Sequence, residues 1–430
     1  MLFKKSALVL LSLLGISHRT HAEDWRQFRG PSSNGVSLDT NLPEVWGMDA
    51  SIKWKAKISG EGWSAPIVVG QKLFVTTAVS SGQKSKNSEH VWKVICLDAK
   101  TGQPVWSKDA IQSQPRLGTH RDNTYASETP VTDGSRVVAY FGMMGVFCYD
   151  LEGKELWKKD LGNFPMRNEW GTSSSPIIHD GIVFLQIDNE QKSFIVALDL
   201  ATGEEKWRKE REETSNWGSP IIWKNSQRTE LITAGKKVRS YNPASGELLW
   251  QATSAVGGFS SSPSGNADLL VVGHQGRDGA GMFVVKAGAS GDVSLKANET
   301  SNSSIAWSTT EFGPQRSSPL VVDGQIFLFG GRGGVLICVD ATTGRKIYQE
   351  RIPDAGAFWA SPWSYKGLVY ATDETGSTFV LKPGPKLDLV RVNKLPEENA
   401  RFWATSAASN GTLFIRSTNT VYAVSTAPTK

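Results

Sequence analysis

From Phe194 to Leu198 the chain alternates bulky β-formers, breaks over Asp199-Leu-Ala-Thr-Gly203, and resumes toward Trp207. The alternation predicts a half-buried strand. Asp199, which can bond nearby amides, and Gly203, which accepts positive φ, predict a tight turn, with Trp207 on the next strand. Some residues earlier, Ser174-Ser175-Pro176-Ile177-Ile178 leads through Asp180-Gly181 into the apolar run Ile182 to Ile187. Together these stretches read as four short strands joined by turns.

The unit repeats. The Ser/Pro phrase returns with proline at 66, 130, 176, 220, 263, 319 and 362, and an eighth copy, Phe402-Trp403-Ala404-Thr405-Ser406, has serine in place of proline. The Asp-turn-Trp phrase returns as Asp98 to Trp106, Asp150 to Trp157, Asn242 to Trp250 and Asp340 to Tyr348; the fifth copy is degenerate, with a polar insertion between Gly291 and Trp307. Four strands in a period of about 43 residues is the size of one propeller blade. Blades bury their faces only against neighbours, so the array must close. The eighth copy ends at Val421-Tyr-Ala-Val-Ser425 without an outer strand, and Ile52-Lys-Trp54-Lys-Ala-Lys-Ile58 offers one. The expectation is an all-β, eight-bladed β-propeller of four-stranded antiparallel blades spanning 51–430, its ring closed by the N-terminal strand.

Composition adds the compartment. Residues 1–22 read as a signal peptide, with Lys4-Lys5, an apolar run from Ala7 to Ile16, and cleavage after Ala22. The run is too short for a membrane span. Removing it takes Lys4, Lys5 and Arg19 and no acid, lowering the formal charge from +5 to +2. A near-neutral mature chain gives no support for nucleic acid. A periplasmic or secreted location follows. No cysteine adjoins the cleavage site, so no lipoprotein anchor is expected. Cys96, Cys148 and Cys338 each stand two residues before a turn Asp, the register of small core residues rather than of a disulfide. Residues 23–50, with Asp24-Trp-Arg-Gln-Phe-Arg-Gly-Pro31, read as a strap along the outside of the ring, or as a partner-binding segment.

Chemistry is expected on one face, where the linkers entering each innermost strand meet the loops between second and third strands. These segments carry Trp63, His120, Arg121, Tyr125, Arg167, Glu169, Trp170, Trp217, Arg316, Trp359, Arg401 and Trp403. Aromatics just before an innermost strand also serve ring packing. The charged members Arg121, Arg167, Glu169 and Arg316 are harder to explain that way. His120 with Tyr125 would make an acid–base pair. Such a rim suits a protein or peptide partner in the cell envelope, or a carbohydrate. The chain has no HExxH, CxxC or GxSxG. Gly273-His-Gln-Gly276 is followed by no helix, which excludes a phosphate cradle, and Asp188-Asn189-Glu190 lacks calcium-loop spacing.

The Ala197-Leu-Asp-Leu-Ala-Thr-Gly-Glu-Glu-Lys-Trp207 phrase, with the Ser/Pro phrase before it, resembles the repeat of the pyrroloquinoline-quinone-type propellers, a superfamily that includes quinoprotein alcohol dehydrogenases and BamB, a factor of outer-membrane protein assembly. The resemblance covers 46–425, and Tyr125-Ala-Ser-Glu-Thr-Pro130 and Phe414-Ile-Arg416 are in keeping with the BamB-like members. It implies the scaffold. The dehydrogenases hold their quinone beside a disulfide of adjacent cysteines and a calcium; here no cysteines are adjacent and no motif places calcium ligands. The expectation is therefore a non-catalytic binding or scaffold protein without cofactor or metal, acting in outer-membrane protein assembly. The alternative is a rim enzyme, either a dehydrogenase with pyrroloquinoline quinone and calcium or a polysaccharide-active propeller.

Overall fold

The computed structural model describes residues 24–47, 51–277, 279–395 and 400–426. The signal segment lies outside them. Among the described residues the strands form eight sheets, each built on four antiparallel strands, one sheet carrying a short fifth strand in parallel. Blades 1 to 7 run Ile67–Ser113, Val131–Lys159, Ile177–Arg211, Ile221–Thr253, Ser264–Thr309, Leu320–Arg351 and Trp363–Lys394. Blade 8 has three strands between Ala407 and Ser425, and Ile52–Lys57 supplies its outer strand, with Trp54 opposite Ala423 and Lys57 opposite Thr420. The ring closes as the sequence predicts.

Each repeated phrase has a mechanical role between blades. The outer-strand tryptophan of one blade lies against the turn glycine of the next, and its Nε1 donates to a carbonyl of that turn: Trp54 to Ala99 O, Trp106 to Leu151 O, Trp157 to Leu200 O, Trp207 to Pro243 O and Trp307 to Ala341 O, at 2.9 to 3.1 Å. Gly203 shows why no other residue stands there: its φ is +74°, and a Cβ would lie 2.7 Å from the Trp157 ring. The degenerate fifth repeat breaks the series. Trp250 turns instead to buried Glu230, donating to its Oε2 at 2.6 Å, and Gly291–Asp292 of the insertion pairs in parallel with the outer edge of blade 4.

Nearer the axis, the Ser/Pro phrase forms a belt. The backbone N–H of Ala65 donates to Thr129 Oγ1, Thr129 to Ser175, Ser175 to Ser219, Ser219 to Ser262, Ser262 to Ser318, Ser318 to Ser361 and Ser361 to Thr405, at 2.8 to 3.1 Å. Ala65 has no hydroxyl, so the belt cannot cross from blade 8 to blade 1. There Arg416 takes over, donating from Nη1 to Ser64 O and Ser64 Oγ and from Nη2 to Thr76 O. Burial without a carboxylate pulls its guanidinium down to about 9, so it stays charged at neutral pH.

The strap takes a different path from the expected one along the outside. Trp25 O accepts from Val68 N, Arg26 O from Thr132 N, and Gly35 and Ser37 exchange bonds with Ser364, all at 2.8 or 2.9 Å. Arg29, 1% exposed, donates to Pro263 O at 3.1 Å and Pro319 O at 2.6 Å. Innermost strands have an unpaired edge facing the axis, and the strap bonds to it from within in blades 1, 2 and 7. Its contacts with the turns at Gly70, Asp133 and Gly411 place it at the end of the channel opposite the entering linkers. The other mouth is ringed by the entering linkers.

Candidate functional site

At that mouth, four linkers contribute a continuous stack. The Arg316 guanidinium lies 4.0 Å over the Trp359 ring, Trp359 stacks on Trp403 at 3.9 Å and 13°, and Trp63 packs against the other side of Trp403 at 4.9 Å. Arg401 sits 5.0 Å over Trp403 and reaches Asp122 at 3.2 Å. Blades 6, 7, 8 and 1 thus present one assembly, tied across the opening to the linker of blade 2. The tryptophans are half-buried, whereas Phe259, Phe358 and Phe402 from the same linkers are fully buried core residues. Arg316 and Arg401 are exposed at this side, beside the partly exposed indoles. Burial, then the nearby Arg332, lower the pKa of Arg316.

A second arc lies on blades 2 to 4. Trp170 packs on Trp217 at 5.5 Å, His120 meets Trp170 edge-on at 6.3 Å, and Trp217 Nε1 donates to Gly171 O at 2.8 Å. Glu169 pairs with Lys86, from the long blade 1 hairpin, at 3.0 Å. Arg121 is 88% exposed beside Asp122. Arg167 is exposed, its backbone N–H bonded to Ser215 Oγ. The proposed acid–base pair is not assembled. His120 associates with Asp122 and Trp170, whereas Tyr125 is buried and packs edge-on against His90 and Trp92. Tyr125 lies one layer below the mouth because its backbone carbonyl anchors the Trp92 indole at 2.8 Å.

Beneath the second arc lies a polar cluster that reads as loop chemistry in the sequence. Arg211 grips Asp188 with two bonds, at 2.8 and 3.1 Å, and both side chains are fully buried. Gln186 and Asn216 donate to the same carboxylate at 2.7 and 3.0 Å. Burial works against the Arg211 charge, but Asp188 outweighs it and the pKa is raised. Beside this network a small cleft, partly open to solvent, is lined by Tyr140, Phe164, Met166, Thr172, Gln186 and Asn216.

Glu128 stands behind the cleft wall, 2% exposed, and accepts a bond from Thr172 Oγ1. Burial pushes its carboxyl up to about 7, against the Thr172 bond. The signal was present in the sequence: Glu128 occupies a slot that holds Ser, Gly or Ala in the other Ser/Pro phrases. A raised carboxyl binds its proton more tightly folded than unfolded, so stability is retained below the unfolded value of 4.5 and lost as pH rises through about 7. Urea unfolding at pH 4.5 and 8 should therefore show Glu128→Gln gaining about 3 kcal/mol relative to wild type at the higher pH. An unchanged difference between the two proteins would place Glu128 in water.

Quinone chemistry finds no matching residues. Cys96, Cys148 and Cys338 are free and buried in three different blades, and burial pushes the first two up to about 12. Among the described residues no three His, Cys, Asp or Glu side chains converge as a cation cage. These residues do not fit a quinone held beside a disulfide and a calcium.

An eight-bladed propeller built on Trp-docked blades is the architecture of the PQQ-like repeat proteins. The family profile described as outer membrane protein assembly factor BamB matches residues 43–129, 92–286 and 234–428, and the chain belongs to that family. A BamB of Burkholderia pseudomallei is 28% identical over 162 residues, 37% of this chain and 34% of the relative. A BamB of Moranella endobia is 21% identical over 230 residues, 45% of this chain and 56% of the relative. The aligned region thus spans a third to just over half of these curated relatives. In structure, BamB from Moraxella catarrhalis superimposes with a TM-score of 0.60 at 11% identity, over 89% of this chain and 99% of the other. Quinohemoprotein alcohol dehydrogenase from Comamonas testosteroni gives 0.61 at 11% identity, over 95% and 81%. At such identities both likenesses speak for fold alone.

Proposed function

We propose that the protein is a non-catalytic docking propeller of the cell envelope that serves outer-membrane protein assembly, with the linker-ringed channel mouth as its docking face. The observation that carries this reading is the Arg316–Trp359–Trp403–Trp63 stack, in which the indoles spend their faces on one another and leave exposed edges and charges rather than a ligand slot. Rigid aromatics with arginines at the centre of a patch are the composition of a protein interface. Membership in the family described as outer membrane protein assembly factor BamB supports that choice of process. Depleting the protein from its host should lower the content of outer-membrane β-barrel proteins; unchanged content would overturn the reading.

A further inference from the structure

We propose that Arg316 and Arg332 form a preorganised anion clamp in the mouth, which seats a carboxylate of an acidic, extended peptide segment of the partner. The inference rests on the mouth being the docking face and names what that face recognises.

Arg316 is held on both sides. Its guanidinium lies 4.0 Å over the Trp359 ring, and on the other side a Cβ at Gly331 would fall 2.5 Å from its Nη1. The guanidinium end thus packs directly against the Gly331 backbone. Gln315 Oε1 accepts the Gly331 N–H at 2.7 Å and so fixes the loop. Arg332 follows Gly331 in the same glycine-rich turn, where Gly333 and Gly334 have positive φ. Arg332 thus stands next to the backbone on which the Arg316 guanidinium packs, near enough for its charge to act on Arg316.

Neither arginine forms an ion pair among the described residues. The carboxylates around the mouth are otherwise engaged. Asp122 holds Arg401 and approaches His120 and Arg121, and Glu374 Oε1 accepts from Ala357 N. Burial and Arg332 thus act against the Arg316 charge and outweigh the more distant Asp122 and Glu374, and no acceptor is bonded to it among the described residues. A planar anion gains a forked, charge-assisted set of donors whose geometry is already fixed. The tryptophans beside the clamp offer apolar edges to the residues flanking such a carboxylate, which favours a mixed acidic and aromatic peptide over a free inorganic ion.

The test is a fluorescence titration of the purified protein with an acetylated, amidated peptide alternating Glu and Phe, against its Gln and Phe counterpart. The Glu peptide should bind and the Gln peptide should not. Arg316→Gln and Arg332→Gln should each weaken binding about tenfold, Arg316→Lys should recover only part, and Lys53→Gln on the closing outer strand should leave it unchanged. Equal binding of both peptides, or full affinity in the Arg316→Gln/Arg332→Gln protein, overturns the clamp. Displacement by inorganic phosphate at concentrations equal to the peptide overturns its assignment to a peptide carboxylate. Purified components keep this result readable whatever the host phenotype, so the clamp and the proposed process can fail separately.

Discussion

Asp188→Ala is expected to cost about 3–5 kcal/mol of folding stability, a large share of what a protein of this kind has to lose. The carboxylate and its partner Arg211 are both fully buried, so removing one leaves the other as an unpaired charge in the interior. Gln186 and Asn216 lose the same acceptor. Arg211 also donates to Thr233 Oγ1 and Ala234 O, so the damage spreads from blade 3 to blade 4. The urea midpoint reads this directly. Asp188→Leu combined with Arg211→Met, which removes both charges and fills the space, should recover most of the loss. A loss below about 1 kcal/mol in the single variant would mean the pair is solvated.

Arg416→Ala should cost about 3 kcal/mol or more and act at one place in the ring. The other blade boundaries of the belt have a hydroxyl bond from the Ser/Pro phrase; the boundary between blades 8 and 1 has Arg416 in its stead. Without it Ser64 O and Thr76 O each lose a guanidinium donor, and the hole left by a fully buried side chain opens between blade 8 and blade 1. Hydrogen exchange should therefore speed up first at Ile52–Lys57 and Thr420–Ser425, with blade 4 unaffected at matched stability. Uniform acceleration around the ring would show that Arg416 is not the seam.

Which features the sequence disclosed follows from the range of the interactions behind them. The turn at Asp199 and Gly203, the Trp on the next strand and the period of the blades rest on local alternation and turn chemistry, and all were legible. Ring closure was legible because Trp54 repeats the blade pattern out of place. The strap was not. Its path depends on Arg29 reaching carbonyls at Pro263 and Pro319, more than two hundred residues away, and a run of Trp, Arg and Phe looks the same inside a channel as outside it. The mouth was legible as a set of residues but not as an arrangement. Trp359, Trp403 and Arg316 stand in equivalent linkers, yet only the ring decides that they stack on each other, and only it separates Tyr125 from His120. Arg211 and Arg416 resemble ordinary surface charges in a strand; their burial is a property of the neighbouring blade.

The most direct test of the docking-face account is complementation in the depleted host, reading outer-membrane β-barrel content. The two ends of the channel compete as docking faces: the mouth with exposed Arg121 and Arg401, and the strap end with exposed Leu38 and Val45. Wild-type protein and the Leu38→Lys/Val45→Lys variant should both restore the β-barrel content, whereas Arg121→Glu/Arg401→Glu, equally well folded, should not. Rescue by the mouth variant and failure of the strap variant would contradict the account and move the docking face to the other end.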